Sequence, residues 1–298
     1  MIKSIKLNIK EIDYYKFLKK VAKRSDCEKV AKINTSYYLG DKLIFSYIKL
    51  TNKSTILLKE VAEKIKLSKV ERISTGLTTK GQDRTFGFRP KRNISVTGGT
   101  CTVTSLSRDF PKEAGILIGY TKLVNDVFKQ HFPKIYEENK KETYKKIKSE
   151  WIIPETIYTS GIVNKNSRLP YHFDIGHVIG LYSCMITIKK GVDGGGLCLP
   201  EIDMYIPLED STLLIFEGQE FLHGVTNFIK KEKGAYRTTI VYYALEQMWK
   251  CLSSKDEIEK YRTVRNEREK VRFTKDLILN RGKYTIQGHL KKAKRKAI

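Results

Sequence analysis

Between Thr156 and Leu245 the chain runs through at least six short β-rich segments, YTSGIV, LYSCMITI, GLCLPEI, MYIPL, TLLIFEG and RTTIVYYAL. Gly, Pro and Asp turns separate them, and no helical pattern intervenes. Each such strand must bury at least one face, and without helices between them the strands can do so only against one another. The pattern therefore predicts a sandwich or jelly-roll barrel.

The flanking segments have other periods. Residues 1–80 mix alternating runs such as KLIFSYIKL with the amphipathic TILLKEVAEKIKL (55–67), which predicts an α+β extension. The stretch GQDRTFGFRPKRNISVTGG, Gly81 to Gly99, is rich in Gly, Arg and aromatic residues and predicts an ordered loop that opens the main domain. From Lys112 to Glu150 the apolar spacing is helical and Pro133 breaks it, giving two helices that brace a sheet from outside. Residues 251–298 hold 15 Lys or Arg and 6 Asp or Glu, a polar helical pattern. The expected architecture is α+β: a jelly-roll core (81–250) braced by helices, with an N-terminal α+β extension (1–80) and a basic helical tail (251–298).

The formal net charge of +24 points to a polyanionic partner, although a Lys-rich proteome would raise it without one. Nucleic acid fits better than a membrane. No run of about 18 apolar residues exists, and the opening MIKSIKLNIKEID alternates instead of building a signal segment, so an intracellular, soluble protein is expected. The five cysteines, Cys27, Cys101, Cys184, Cys198 and Cys251, form no CxxC or CxH pair. They read as reduced, mostly buried thiols, with neither a zinc cluster nor a disulfide framework.

Within the β-rich region LPYHFDIGH sets His172 and Asp174 two residues apart, on the same face of a strand. EFLHGVTNF supplies His223 about fifty residues later. Two imidazoles and a carboxylate form the facial triad of non-haem iron(II), which leaves positions open on the metal. In AYRTTIVYY, Arg237 and Thr239 again share a strand face, and a guanidinium with a hydroxyl can grip a carboxylate.

HxD, a distal His and then Arg-x-Thr at this spacing resemble the double-stranded β-helix dioxygenases that use 2-oxoglutarate. The resemblance implies Fe(II), 2-oxoglutarate as cosubstrate, O2, and ascorbate as reductant. Iron would be chelated by the 1-carboxylate and 2-oxo group, and the far carboxylate would be held by Arg237 and Thr239. Finer similarity is to the TET/JBP branch, which oxidises the 5-methyl group of pyrimidines in DNA. It rests on FGFRP, NKNSRLPYHFD, GGGLCLPEIDMYIPLEDSTLLIF and the HGV that follows, over about residues 80–245. The chain lacks the cysteine-rich, zinc-binding part of the animal enzymes, so no structural zinc is expected. Engagement of DNA then falls to the basic tail and the N-terminal region.

The same resemblance places His177, three residues after Asp174, facing the target base, and lets Tyr243, six after Arg237, stack on it. A backbone-bonded loop histidine and a core aromatic are the plainer readings. Arg84 and Arg89 can reach cosubstrate or phosphate from their loop, or serve as salt-bridged scaffold; His131 and His289 carry no assigned role. The implied reaction is hydroxylation of 5-methylcytosine or thymine in DNA. The alternatives are the same iron chemistry on a protein side chain, lipid or small molecule, and a non-catalytic nucleic-acid-binding module on this fold.

Overall fold

The computed structural model describes residues 2–65, 67–69, 82–90 and 99–272. The chain divides into two units, Met1–Pro90 with Thr102–Lys250, and Lys91–Cys101 with Cys251–Ile298. The first unit opens with β1 (Lys3–Lys6), α1 (Tyr14–Phe17), β2 (Lys29–Val30), β3 (Thr35–Leu39), β4 (Lys42–Lys49), α2 (Asn52–Lys64), β5 (Ser68–Lys69) and β6 (Gln82–Arg89). After β7 (Thr102–Val103) come three helices, α3 (Ser105–Asp109), α4 (Pro111–His131) and α5 (Pro133–Lys146). Pro133 occupies the first turn of α5, where a missing N–H costs nothing, so the same residue ends one helix and starts the next.

The β-rich region then supplies β8 (Ser160–Lys165), β9 (Ser183–Lys190), β10 (Val192–Gly194), β11 (Leu197–Leu199) and β12 (Met204–Ile206). It closes with β13 (Thr212–Phe216), β14 (Gly224–Val225), β15 (Phe228–Lys230) and β16 (Tyr236–Tyr243). The large sheet has the order β1-β3-β4-β13-β9-β16-β8-β6-β5, with β7 on β6, and a smaller sheet has the order β14-β11-β12-β2. Residues of the N-terminal segment thus form one edge of the large sheet, through β4 on β13, and an edge of the small one, through β2 on β12.

Strand alternation divides the core in two. Ile186 and Ile188 of β9, Leu213 and Ile215 of β13 and Ile240 and Tyr242 of β16 pack beneath α2, α4 and α5, with Leu58, Leu117, Val124, Phe128 and Tyr136. Phe45 and Tyr47 of β4, Leu214 and Phe216 of β13, and Leu197, Leu199 and Ile206 fill the space between the sheets. Such pairing of faces is the layered solution that the six short strands demand.

Three expectations are corrected. The GQDRTFGFRP stretch is a strand, β6, and not a loop across 82–89. Its Phe86 lies opposite Gly161 of β8, and a Cβ on Gly161 would stand 2.1 Å from the Phe86 ring, so glycine in one strand makes room for an aromatic in the other. The cysteines are not all reduced: Cys101 and Cys251 form a disulfide in the second unit, 150 residues apart, a separation that no local spacing rule detects. Cys27, Cys184 and Cys198 are free and buried. In that second unit Glu257 is buried and its carboxylate accepts the N–H groups of Cys101 at 3.2 Å and Leu252 at 2.9 Å, at the start of α6 (Ser254–Arg272). The third correction concerns the strand assigned to His172 and Asp174 and is described below. The tail beyond residue 272, including His289, lies outside the described residues. No helix among the described residues is long and apolar enough to cross a membrane.

Candidate active site

His172 and Asp174 lie on extended backbone but not in a regular strand: only an isolated bridge pairs His172 with His223. Pro170 offers no N–H before it, and Gly176, at φ +88°, turns the chain away after it. The bridge is reciprocal. The His172 N–H donates to the His223 carbonyl at 2.9 Å and the His223 N–H to the His172 carbonyl at 3.0 Å, while the Asp174 N–H donates to the Gly218 carbonyl at 2.9 Å.

Both rings are held by their own backbone. Nδ1 of His172 lies 2.8 Å from the Pro170 carbonyl, and Nδ1 of His223 lies 2.9 Å from the Phe221 carbonyl. A carbonyl only accepts, so each Nδ1 carries the proton and each Nε2 keeps a free lone pair. Nε2 of His172 stands 3.6 Å from Asp174 Oδ1 and Nε2 of His223 stands 3.8 Å from it. One donor atom of each of the three residues lies within 4.8 Å of the others, a spacing that a single ion at ordinary nitrogen and oxygen distances spans. Burial opposes ionisation of Asp174, but the neighbouring imidazoles of His172, His223 and His177 hold its carboxyl well below the usual range. Burial, followed by the field of His172, pushes His223 down to about 4. At neutral pH His223 is a neutral imidazole and Asp174 a carboxylate.

The three residues line a cavity of about 720 Å³. Alternation on β16 turns Arg237, Thr239, Val241 and Tyr243 into it. Arg237 is 2% exposed, and its Nε has no hydrogen-bond partner among the described residues. Its main-chain N–H donates to Asn166 Oδ1 at 3.0 Å. Among the described residues, Asp174 is the single acidic residue on the cavity wall. Burial pulls the guanidinium down to about 10, so it stays cationic at neutral pH. A buried cation of this kind is a site for an anion. Gly195 gives it room, since a Cβ there would lie 2.7 Å from Arg237 Cδ.

His177 and Tyr243 also line the cavity, where their rings stack on each other, 4.4 Å apart at 14°. Arg84 and Arg89 do not line it; the Arg84 guanidinium lies 4.8 Å over the Phe110 ring.

No family model matches the chain, and no curated protein matches it. Among solved structures it is similar to NgTET1 in complex with 5mC DNA, at 16% identity over 78% of this chain and 88% of that one, with a TM-score of 0.56. A 2OG-Fe(II) oxygenase-family oxidoreductase from Burkholderia pseudomallei matches at 12% identity over 67% of this chain and 84% of that one, with a TM-score of 0.45. The fold is a double-stranded β-helix.

In that fold four inner strands of the large sheet, β8, β16, β9 and β13, face β14, β11 and β12, and the cavity opens between them. Sequence reading missed three residues of its wall, Asn164, Leu18 and Lys19. Asn164 on β8 points inward with Ile162 and pairs in register with Thr239; a polar residue at an inward position of YTSGIVNK is the signal that marks it. Leu18 and Lys19 reach the wall from the N-terminal segment, and no local pattern announces this.

Gly218, in the IFEG turn, was missed as well; it does not line the cavity but lies against Asp174. A Cβ there would fall 2.2 Å from Asp174 Oδ2. Gly218→Ala therefore displaces the carboxylate while leaving the fold intact, and metal affinity falls by roughly 10- to 100-fold. Calorimetric titration with Mn(II) reads this loss, and unchanged affinity would show that Asp174 does not ligate through that oxygen.

Proposed function

We propose that this chain is an Fe(II)- and 2-oxoglutarate-dependent dioxygenase that hydroxylates the 5-methyl group of a pyrimidine in DNA. One observation carries the reading: a two-His, one-carboxylate donor set and a buried arginine line the same cavity. The first fits a divalent iron, and the second fits the far carboxylate of a dicarboxylate chelated at that metal.

His172, Asp174 and His223 would hold the metal. Iron(II) with 2-oxoglutarate and O2 supplies the oxidation of an unactivated C–H bond. The residues of the chain do the rest. Arg237 and Thr239 orient the cosubstrate from its far end. The aliphatic wall of Ile162, Met185, Leu197, Leu214 and Val225 excludes water, which strengthens the Arg237 contact. His177, stacked on Tyr243 beside Asp174, supplies a flat surface and a ring nitrogen where a base taken out of its stack has to be read. NgTET1, the neighbour of known fold, was crystallised with 5mC DNA, and the +24 charge suits the same class of ligand.

The test is incubation with Fe(II), ascorbate and 2-oxoglutarate on DNA carrying 5-methylcytosine, followed by digestion to nucleosides and mass spectrometry. A nucleoside heavier by one oxygen atom, from 5-methyldeoxycytidine or from thymidine, is the expected result and names the substrate. Succinate produced with both nucleosides unchanged would move the reaction to a protein or small-molecule substrate.

A further inference from the structure

The N-terminal segment that lines the cavity does so by an unusual attachment. The Lys19 N–H donates to the Tyr171 carbonyl at 2.9 Å, and the Tyr171 N–H donates to the Lys20 carbonyl at 2.9 Å. Lys19 is held in the left-handed region, at φ +63°, which a lysine rarely adopts. The preceding helix α1 rests on the residues on either side of His172. Phe17 packs edge-on against Tyr171 at 5.3 Å and Tyr14 lies 6.1 Å from Phe173. The Tyr14 hydroxyl donates to Glu201 at 2.5 Å, whose other oxygen accepts the Leu222 N–H at 2.6 Å, next to His223. The segment is thereby fixed to the neighbours of two proposed metal ligands.

What it presents outward is basic and aromatic. Lys16, Lys19 and Lys20 are exposed, and Tyr15 is 90% exposed. Lys16 has one distant acidic neighbour, Asp13 at 3.8 Å; Lys19 and Lys20 have no acidic side chain within 4.0 Å among the described residues. On the same cavity wall Ile175 is 89% exposed, a large apolar side chain of the kind that enters a disturbed base stack.

We infer that Tyr15–Lys20 is a phosphate-contacting rim that holds a DNA strand beside the nucleotide delivered to the cavity. The inference rests on the DNA reading above and specifies where on the chain the backbone is gripped. Lysines on a pinned turn set the phosphates at a fixed distance from the proposed metal ligands. Tyr15 adds a stacking face.

The experiment compares the salt dependence of binding to a short DNA duplex, wild type against Lys16→Gln/Lys20→Gln, in the full chain. Loss of two phosphate contacts lowers the slope of log K against log[salt] by about 2, while 2-oxoglutarate affinity in the presence of Mn(II) is unchanged. A second variant, Lys19→Gly, suits the positive φ, so its folding is preserved, and it too binds DNA more weakly. Equal slopes for wild type and double variant would overturn the rim. A lowered slope together with no oxidised nucleoside in the digestion assay would retain the rim as a nucleic-acid contact and overturn the proposed reaction, so the two failures are distinct.

Discussion

Asp174→Ala is expected to abolish conversion of 2-oxoglutarate to succinate, with a loss of at least about 10³-fold, because it removes one of the three proposed protein ligands and the sole anionic one among them. The protein still folds. The backbone at this position is fixed by the Asp174 N–H to the Gly218 carbonyl, a bond that alanine keeps, and the reciprocal bridge between His172 and His223 does not involve the carboxylate. Circular dichroism therefore matches wild type while Mn(II) titration shows weakened binding. Asp174→Asn, which keeps the shape and removes the charge, separates the two contributions. Substantial turnover in the alanine variant would exclude this residue as a ligand.

Arg237→Met has effects of opposite sign on binding and on stability. In the protein without cosubstrate the guanidinium is buried and makes no ion pair among the described residues, so an apolar side chain of similar length stabilises that state. The melting temperature rises by about 2–4 °C for each kcal/mol gained. With 2-oxoglutarate present the variant leaves the far carboxylate without its cationic partner. Breaking a buried pair costs about 3–5 kcal/mol, so KM for 2-oxoglutarate rises by roughly 10²- to 5 × 10³-fold and the thermal shift that the cosubstrate gives to wild type disappears. Arg237→Lys restores charge without the forked geometry and recovers only part of the affinity. An unchanged KM in Arg237→Met would place the cosubstrate elsewhere.

The inner strands were legible because their alternation is strict. In β16 Arg237, Thr239, Val241 and Tyr243 point one way and Thr238, Ile240 and Tyr242 the other, so residue type and face coincide. The pairing of His172 with Asp174 was legible for the same reason, even though the segment makes only a bridge. In β4, by contrast, six consecutive residues are buried, because both faces of the strand are covered, so the alternation expected of KLIFSYIKL is not its burial pattern. Its partner β13 is far along the chain, so nothing local ties the N-terminal segment to the sheet that carries the site. The attachment of Lys19 and Lys20 to Tyr171 is hidden in the same way, since main-chain hydrogen bonds leave no trace in residue type. In β6 the glycines that argued for a loop serve close strand packing.

The placement of β4 also fixes an order of events during synthesis. Lys49 pairs with Thr212, so the outer edge of β4 has no partner until the ribosome has added the helices and the first half of the β-rich region. At about 5–20 residues per second this interval is roughly ten to thirty seconds. Throughout it the β3–β4 hairpin presents an apolar strand with open main-chain donors and acceptors, and a second nascent chain carries the same edge. Slower growth at low temperature does not shorten the exposure, whereas a holdase chaperone that covers the hairpin until β13 emerges does protect it.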